Sequence, residues 1–436
     1  MTNEGRAARG RNLTAPSPRD SLMEGENLMI KTATAKTSTS RAIVPATRTR
    51  DIRYALRDIL LLADEVARGG REMLYLNIGD PNIYDFAPPA HVLEATFKAM
   101  RDNHNGYAPS SGIREALTAI RGEAERKGIR SINHVFVTSG ASEAIDLAIS
   151  ALANPGDNVL APSPGYPLYG AVFAKLGVEN RPYYLDESNA WQPDVDDIAA
   201  KIDARTRAIV LINPNNPTGS VATRETLERL VELAVRHNLV ILSDEIYDKL
   251  MFDGRRHEST AALSTELKAV TFNGLSKAYL VPGFRIGWGV VSGPAAEMRE
   301  YCEAIQKMER ARLSANHPEQ YAIKPALEGP QDHLKSVMEK LSRRRELTVS
   351  RLNAIPGISC VAPAGAFYAF PRIDFGLADQ AFVERVIRET GVVIVPGSGF
   401  GQRPGTEHFR VVFLPPEPIL ERAYGEIASI ARQLRG

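Results

Sequence analysis

The middle of this chain alternates short, near-continuous apolar runs with amphipathic segments of helical period, and few folds accommodate that rhythm. The runs fall at residues 135–138, 158–161, 208–212, 240–243, 269–272 and 287–291, and helical segments such as 142–153, 224–237 and 294–312 lie between them. A strand covered on both faces reads as a continuous apolar run. Interleaved with helices, such runs predict an α/β fold with a parallel or mixed sheet. Upstream, Leu56, Leu60, Ala63 and Ala67 recur at helical spacing over 54–72, and Gly69-Gly70 supplies a stop before the strand-like 73–78. After about Pro325 the pattern changes to one long charged helix, 331–353, followed by Gly/Pro-punctuated strands. That change marks a second, smaller α+β unit. The expected organisation is an extension at 1–50, an N-terminal arm and part of the small unit at 51–88, a large unit at 89–325 and a small unit at 326–436. The run Arg343-Arg344-Arg345 is expected on a solvated helix face.

Composition narrows the function classes. With 53 basic and 52 acidic side chains the formal net charge is +1, which lacks the electrostatic footprint of a nucleic-acid or anionic-membrane binder. No apolar stretch approaches the ~18 residues of a bilayer span. Two cysteines, Cys302 and Cys360, without a CxxC, argue against a disulfide framework or zinc cluster and favour the cytoplasm. Residues 1–50 are rich in Thr, Ser, Ala and Arg, show no period, and are expected to be a disordered extension. An internal start at Met23 or Met29 is one expectation. A transit peptide is another, weakened by Glu4, Asp20, Glu24 and Glu26. An apolar secretory core is missing.

In open α/β sheets ligands bind beyond the carboxyl ends of strands. After 135–138 comes Ser139-Gly140-Ala141-Ser142-Glu143, small residues opening a helix whose N-terminus suits a phosphate. The same residues also serve as a plain cap. After 208–212 comes Asn213-Pro214-Asn215-Asn216-Pro217-Thr218-Gly219, a rigid turn able to aim an asparagine at a ligand. After 240–243 comes Asp244-Glu245-Ile246-Tyr247, with a carboxylate that is either functional or a helix cap. The decisive segment is Asn273-Gly274-Leu275-Ser276-Lys277-Ala278-Tyr279, then Pro282-Gly283-Phe284-Arg285-Ile286-Gly287-Trp288. A lysine flanked by small and apolar residues is open to desolvation, which lowers its pKa and makes its amine nucleophilic.

Taken in order and spacing, SGASEA, NPNNPTG, SDEIYDKLMFDG and NGLSKAYLVPGFRIGW resemble the class I aminotransferases of fold-type I, and within them the alanine aminotransferase branch. The resemblance runs from about Tyr54 to the C-terminus. It implies a pyridoxal 5′-phosphate (PLP) enzyme whose large domain carries a mixed, mostly parallel sheet covered by helices, with a smaller α+β domain beside it. Lys277 matches the lysine that forms the Schiff base and shuttles the proton, and Asp244 the partner of the pyridine nitrogen. Asn216 and Tyr247 match the residues bonded to the phenolic oxygen. Tyr166 falls where the family stacks an aromatic on the ring. Ala141, Ser142 and Arg285 match the phosphate site, with Ser276 beside it. A second serine common in the family is replaced here by Gly274.

Tyr107 matches the tyrosine that reaches the phosphate across a dimer interface, which implies a homodimer. Arg410, in His408-Phe409-Arg410, matches the arginine that clamps the substrate α-carboxylate through its planar fork. Gly79, in Asn77-Ile78-Gly79-Asp80-Pro81, is expected against the same carboxylate. Tyr54 and Arg57 resemble the segment closing the side-chain pocket, Tyr54 narrowing it for a methyl group and Arg57 meeting a distal carboxylate; helix amphipathicity is the plainer account. Arg312 is a second candidate for that carboxylate.

The implied reaction moves an amino group between L-alanine and 2-oxoglutarate. Aspartate, valine or another donor, or a PLP-dependent lyase, remains an alternative. A DNA-binding regulator on this fold needs a helix-turn-helix domain that the aperiodic extension does not supply. Gly397-Ser398-Gly399-Phe400-Gly401 lacks the context of a dinucleotide fingerprint, and the eight histidines show no metal-ligand spacing, so no metal is expected.

Overall fold

The computed structural model describes residues 42–52 and 55–435, and of 55–58 the backbone only. The chain divides into a unit of residues 1–45 and a unit of 46–436. In the first, the described residues 42–45 form neither helix nor strand. Most of the expected extension, together with Tyr54 and the Arg57 side chain, lies outside the described residues. Thr47–Asp51 is a short 3-10 turn against the helix Leu168–Leu176.

The apolar runs become an eight-stranded sheet. Across it the order is Ile132–Ser139, Ile286–Ser292, Lys268–Gly274, Val240–Asp244, Thr206–Ile212, Asn158–Ser163, Glu179–Asp186 and Gln192–Pro193. Ile286–Ser292 and Gln192–Pro193 are antiparallel to their neighbours, and the other adjacent pairs are parallel. The continuous apolar character follows from burial on both faces. Along Thr206–Ile212, Ile209 and Leu211 join one hydrophobic core while Ala208, Val210 and Ile212 join another. Arg114–Arg126 and Arg224–Arg236 contribute to the first core; Ala141–Leu152, Leu168–Leu176 and Ala295–Arg312 contribute to the second.

The register fixes where a ligand can sit. Asp244 pairs with Ile212 on one side and Phe272 on the other, so these strands end together. Ile286 begins its antiparallel strand opposite Ser139, which brings Arg285 to the same edge.

The segments after residue 331 build a second layer. Ile358–Ser359, Arg372–Ile373, Glu407–Val412 and Tyr368–Ala369 form a small antiparallel sheet, with Val395–Pro396 also paired to Glu407–Val412. The helices Asp332–Asn353, Asp379–Thr390 and Glu417–Arg435 share its core, and the early strand Leu74–Tyr75 pairs with Val392–Val393. The early helix spans Ala55–Arg68 and stops at the expected glycines.

Two elements differ from expectation. The edge strands Glu179–Asp186 and Gln192–Pro193 carry no apolar run, because an edge strand faces water and tolerates Asn180, Arg181 and Pro182. Of the arginine run, Arg343 stays on the solvated face, while Arg344 and Arg345 turn inward. Arg344 is 1% exposed and lies over the Phe86 ring, its Nη2 donating to both Asp85 carboxylate oxygens at 2.8 Å. It also donates to Leu414 O and to Glu417. Arg345 pairs with Asp253 over Phe252, and Arg343 pairs with Glu417. A helix joining two packed layers turns even its charged residues inward, where carboxylates from other elements meet them.

Removing Arg344 empties a buried guanidinium site and strands the buried Leu414 carbonyl, whereas the exposed Arg351–Glu421 pair is bathed in solvent. Arg344→Ala is therefore expected to lower the unfolding free energy by about 3 kcal/mol, and Arg351→Ala by under about 0.5 kcal/mol. Denaturant titration measures both; equal effects would contradict the assignment.

Candidate active site

The strand ends enclose a cavity of about 740 Å³, including its open mouth. Ala141, Ser142, Tyr166, Asn216, Asp244, Tyr247, Ser276, Lys277 and Arg285 all line it. Residues separated by more than 140 positions are thus brought to one place by the parallel register.

Each wall has a local cause. Ala141–Leu152 begins after Gly140, whose φ is 81°, and no side-chain cap occupies that N-terminus. Glu143 reaches back to accept from the Ser139 N–H at 2.7 Å, one residue before Gly140, so the plain cap expected there is not formed and the first turn faces the cavity. Arg285 stands beside that turn, its Nη2 3.5 Å from Ser139 O. The turn 213–219 is locked internally: Asn213 Oδ1 accepts from Ala222 N, and Asn215 donates to Thr218 Oγ1 at 2.9 Å. Asn216 is left to face the cavity. At Gly274 a Cβ would lie 2.7 Å from Ile286 O, so the neighbouring strand leaves no space for the serine other members carry there.

Burial sets the electrostatics. Asp244 is 4% exposed, and its hydrogen-bond partners are neutral: Tyr169 Oη donates at 3.2 Å and Ile246 N at 3.3 Å. Desolvation pushes its carboxyl up to about 6 against the pull of those donors. Lys277 Nζ donates to Gly79 O at 2.8 Å. Burial brings its amine down to about 8; Arg410 and Arg285 act in the same direction and Asp80 opposes them. A lysine so placed is nucleophilic near neutrality. Tyr247 Oη lies 2.8 Å from Tyr368 Oη, and burial holds the Tyr247 phenol well above its ordinary value.

Arg410 comes from the small sheet. It is 3% exposed, donates to Asn216 Oδ1 at 3.2 Å and to Asn77 O at 2.5 Å, and lies between the rings of Tyr368 and Phe400. Gly79 sits beside it through Lys277 and Tyr368. Two expected residues are not in this group. Tyr107 is 83% exposed. Arg312 is absent from the cavity wall; its Nη2 donates to Val137 O at 2.6 Å and its Nε lies 3.5 Å from Glu143.

The sequence reading passed over Tyr169, Tyr368 and Phe400. Tyr169 stands three residues after Tyr166, a helical spacing that was available as a signal. Tyr368 and Phe400 sit on short strands and turns with no periodic signature.

The residues fit a flat, cationic-nitrogen ring bearing a phosphate. Asp244 is a buried carboxylate with only neutral partners, which a protonated ring nitrogen completes, and an uncapped helix N-terminus with an adjacent arginine matches a phosphate.

This architecture is fold-type I, a large mixed, mostly parallel sheet with a smaller sheet beside it. The description "Aminotransferase class I and II" matches residues 71–425. The glutamate-pyruvate aminotransferase AlaA of Haemophilus influenzae is 41% identical over 374 residues, 84% of this chain and 92% of that protein. The alanine aminotransferase of Mycobacterium tuberculosis is 38% identical over 88% of this chain and 91% of its own. The solved alanine aminotransferase of Pyrococcus furiosus superposes with a TM-score of 0.86 at 41% identity, over 89% of this chain and all of that one. The chain belongs to the class I and II aminotransferases.

The folded Asp244 titrates above its unfolded value of 3.8. A raised value makes its stability contribution complete below the unfolded pKa and lost as pH rises through about 6. Without cofactor, Asp244→Asn is therefore expected to be more stable than wild type near neutral pH, by on the order of 2–3 kcal/mol. The advantage vanishes below about pH 4. Thermal melts across that range check it, and a pH-independent difference would contradict it.

Proposed function

We propose that this cavity holds pyridoxal 5′-phosphate and that the chain moves the amino group between L-alanine and 2-oxoglutarate, giving pyruvate and L-glutamate. The observation that carries the reading is the desolvated Lys277 amine sharing one cavity with the buried Asp244 carboxylate. The alanine and glutamate-pyruvate names of the relatives support the substrate pair.

Bound there, the cofactor supplies an electron sink for the charge left on the substrate Cα. The rest belongs to the chain. Asp244 keeps the ring nitrogen protonated. Asn216 and Tyr247 donate to the ring's phenolic oxygen, and Tyr166 covers a ring face. The first-turn amides at Ala141 and Ser142, with Arg285 and Ser276, hold the phosphate. Arg410 grips the α-carboxylate with two parallel bonds, Gly79 lying against it. With both ends fixed, the substrate Cα would be held within reach of the Lys277 amine, which would take up the Cα proton. Tyr54 and Arg57 close the side-chain end. Arg57 is the candidate to meet a distal carboxylate, Arg312 being absent from the cavity wall.

The active unit is a homodimer in which Tyr107 crosses to the partner's phosphate site; the exposure of so large an aromatic supports this. Cys302 and Cys360 are free and buried, which supports the cytoplasm as compartment. Among the described residues no helix is long and apolar enough to cross a membrane.

Two measurements test the reading. Adding L-alanine to the purified holoenzyme should bleach the visible band of the bound cofactor, and 2-oxoglutarate should restore it; L-aspartate or L-valine acting in its place would redirect the donor assignment. Lys277→Ala should lose at least about 10⁴-fold in turnover, since the nucleophile and the proton carrier vanish together. An active alanine variant, without added amines, would sink the role of Lys277.

A further inference from the structure

Tyr368 belongs to no motif, yet it touches both ends of the site. It is 3% exposed, and its strand Tyr368–Ala369 pairs with Val412 and Val411 of the strand that carries Arg410. Its ring lies 4.8 Å from the Arg410 guanidinium carbon, and its hydroxyl lies 2.8 Å from that of Tyr247. The two tyrosine rings meet edge to face at 5.7 Å, and Phe367 packs edge-on against Tyr247 at 5.4 Å. Both hydroxyls are therefore held in place by packing.

A phenol carries one proton and can donate once. On the functional reading above, Tyr247 donates to the cofactor's phenolic oxygen, so in its bond with Tyr368 it must accept. Tyr368 is then the donor. Hydrogen bonds in series polarise one another in a low-dielectric site, so a donor to the Tyr247 oxygen strengthens the bond Tyr247 makes. The Arg410 charge over the Tyr368 ring favours the same direction of donation. We propose that Tyr368 is a positioning residue that donates its hydroxyl proton to Tyr247, sets the strength of Tyr247's own bond to the cofactor oxygen, and ties the cofactor end of the site to its arginine end.

This inference rests on the proposed cofactor reading, and its consequence is spectroscopic. A weaker donor to the phenolic oxygen leaves more negative charge to retain the proton shared with the Lys277 nitrogen. The pH midpoint of the cofactor's visible band then rises. The groups facing this pair are Asp244 and Tyr166 beside Tyr247, Arg410 beside Tyr368, and Asp80, Asp244, Arg285 and Arg410 around Lys277. None of them is altered by Tyr368→Phe.

The experiment is a spectrophotometric pH titration of the holoenzyme. Tyr368→Phe keeps the ring over Arg410 and is expected to raise the midpoint by about half a pH unit. In a Tyr247→Phe background the same substitution should move the midpoint by less than about 0.2 unit, because the group it acts through is gone. Gly79→Ala provides a second route if the phenylalanine chain fails to fold. Its Cβ would lie 2.4 Å from the Tyr368 oxygen, so it should displace that hydroxyl and raise the midpoint in the same direction. Unchanged midpoints, or a full shift that persists in the Tyr247→Phe background, would overturn the inference and leave the cofactor reading intact. A wild-type chain that takes up no cofactor and shows no visible band would overturn both.

Discussion

A half-buried lysine amine and a buried aspartate carboxylate face one cavity, and the other features of the site follow from keeping them there. Each is brought toward neutrality by desolvation, Lys277 to about 8 and Asp244 to about 6. They share the cavity because Asp244 ends a parallel strand and Lys277 follows the adjacent one. Parallel pairing is what aligns such strand ends, and a sheet buried on both faces surrounds them with apolar side chains.

The cavity also needs its second wall. Arg410, Tyr368 and Phe400 come from the small sheet and its turns, while Asn216, Asp244, Lys277 and Arg285 come from the strand ends of the large one. Asn216 meets Arg410 at 3.2 Å, and Lys277 reaches Gly79 at 2.8 Å, so single hydrogen bonds join the two sets of elements at the reacting centre. On the proposed function, the substrate carboxylate and the cofactor phosphate would lie at opposite walls, a division that would fix the geometry at Cα.

Most of this was legible in the sequence for a physical reason. Doubly buried strands must be continuously apolar, so the strands at 208–212 and 240–243 announce themselves; Asn216 and Asp244 at their ends read equally as turn and cap residues, and the family resemblance is what singles them out. The polar edge strand Glu179–Asp186 gave no such signal, because its composition is that of a loop. Arg344 misled for the opposite reason. A charged residue on a long helix usually faces water, and only Asp85, Glu417 and Leu414, far off in the chain, turn it inward. Tyr368 was invisible because its two-residue strand has no period, and its importance lies wholly in what it touches.

The segment after the central strand shows how one stretch of chain gives carboxylates opposite characters. Asp244 faces the cavity among neutral donors and is pushed up. Asp248, four residues on, is equally buried, yet it pairs with Lys127, and that charge, with Lys249 and His257, carries it down to about 2 against the effect of burial. Between them Glu245 is fully buried, bonded by Ser259 at 2.7 Å and Ser243 at 3.1 Å, with Lys127 at 3.7 Å and His257 at 3.8 Å. This charged cluster secures the turn from the side away from the cavity. Asp244 and Tyr247 can then present under-solvated groups to a ligand while the backbone between them stays fixed. A paired, ionised network behind a poorly paired site lets the chain hold Asp244 in an unfavourable environment without letting the segment that carries it move to relieve that environment.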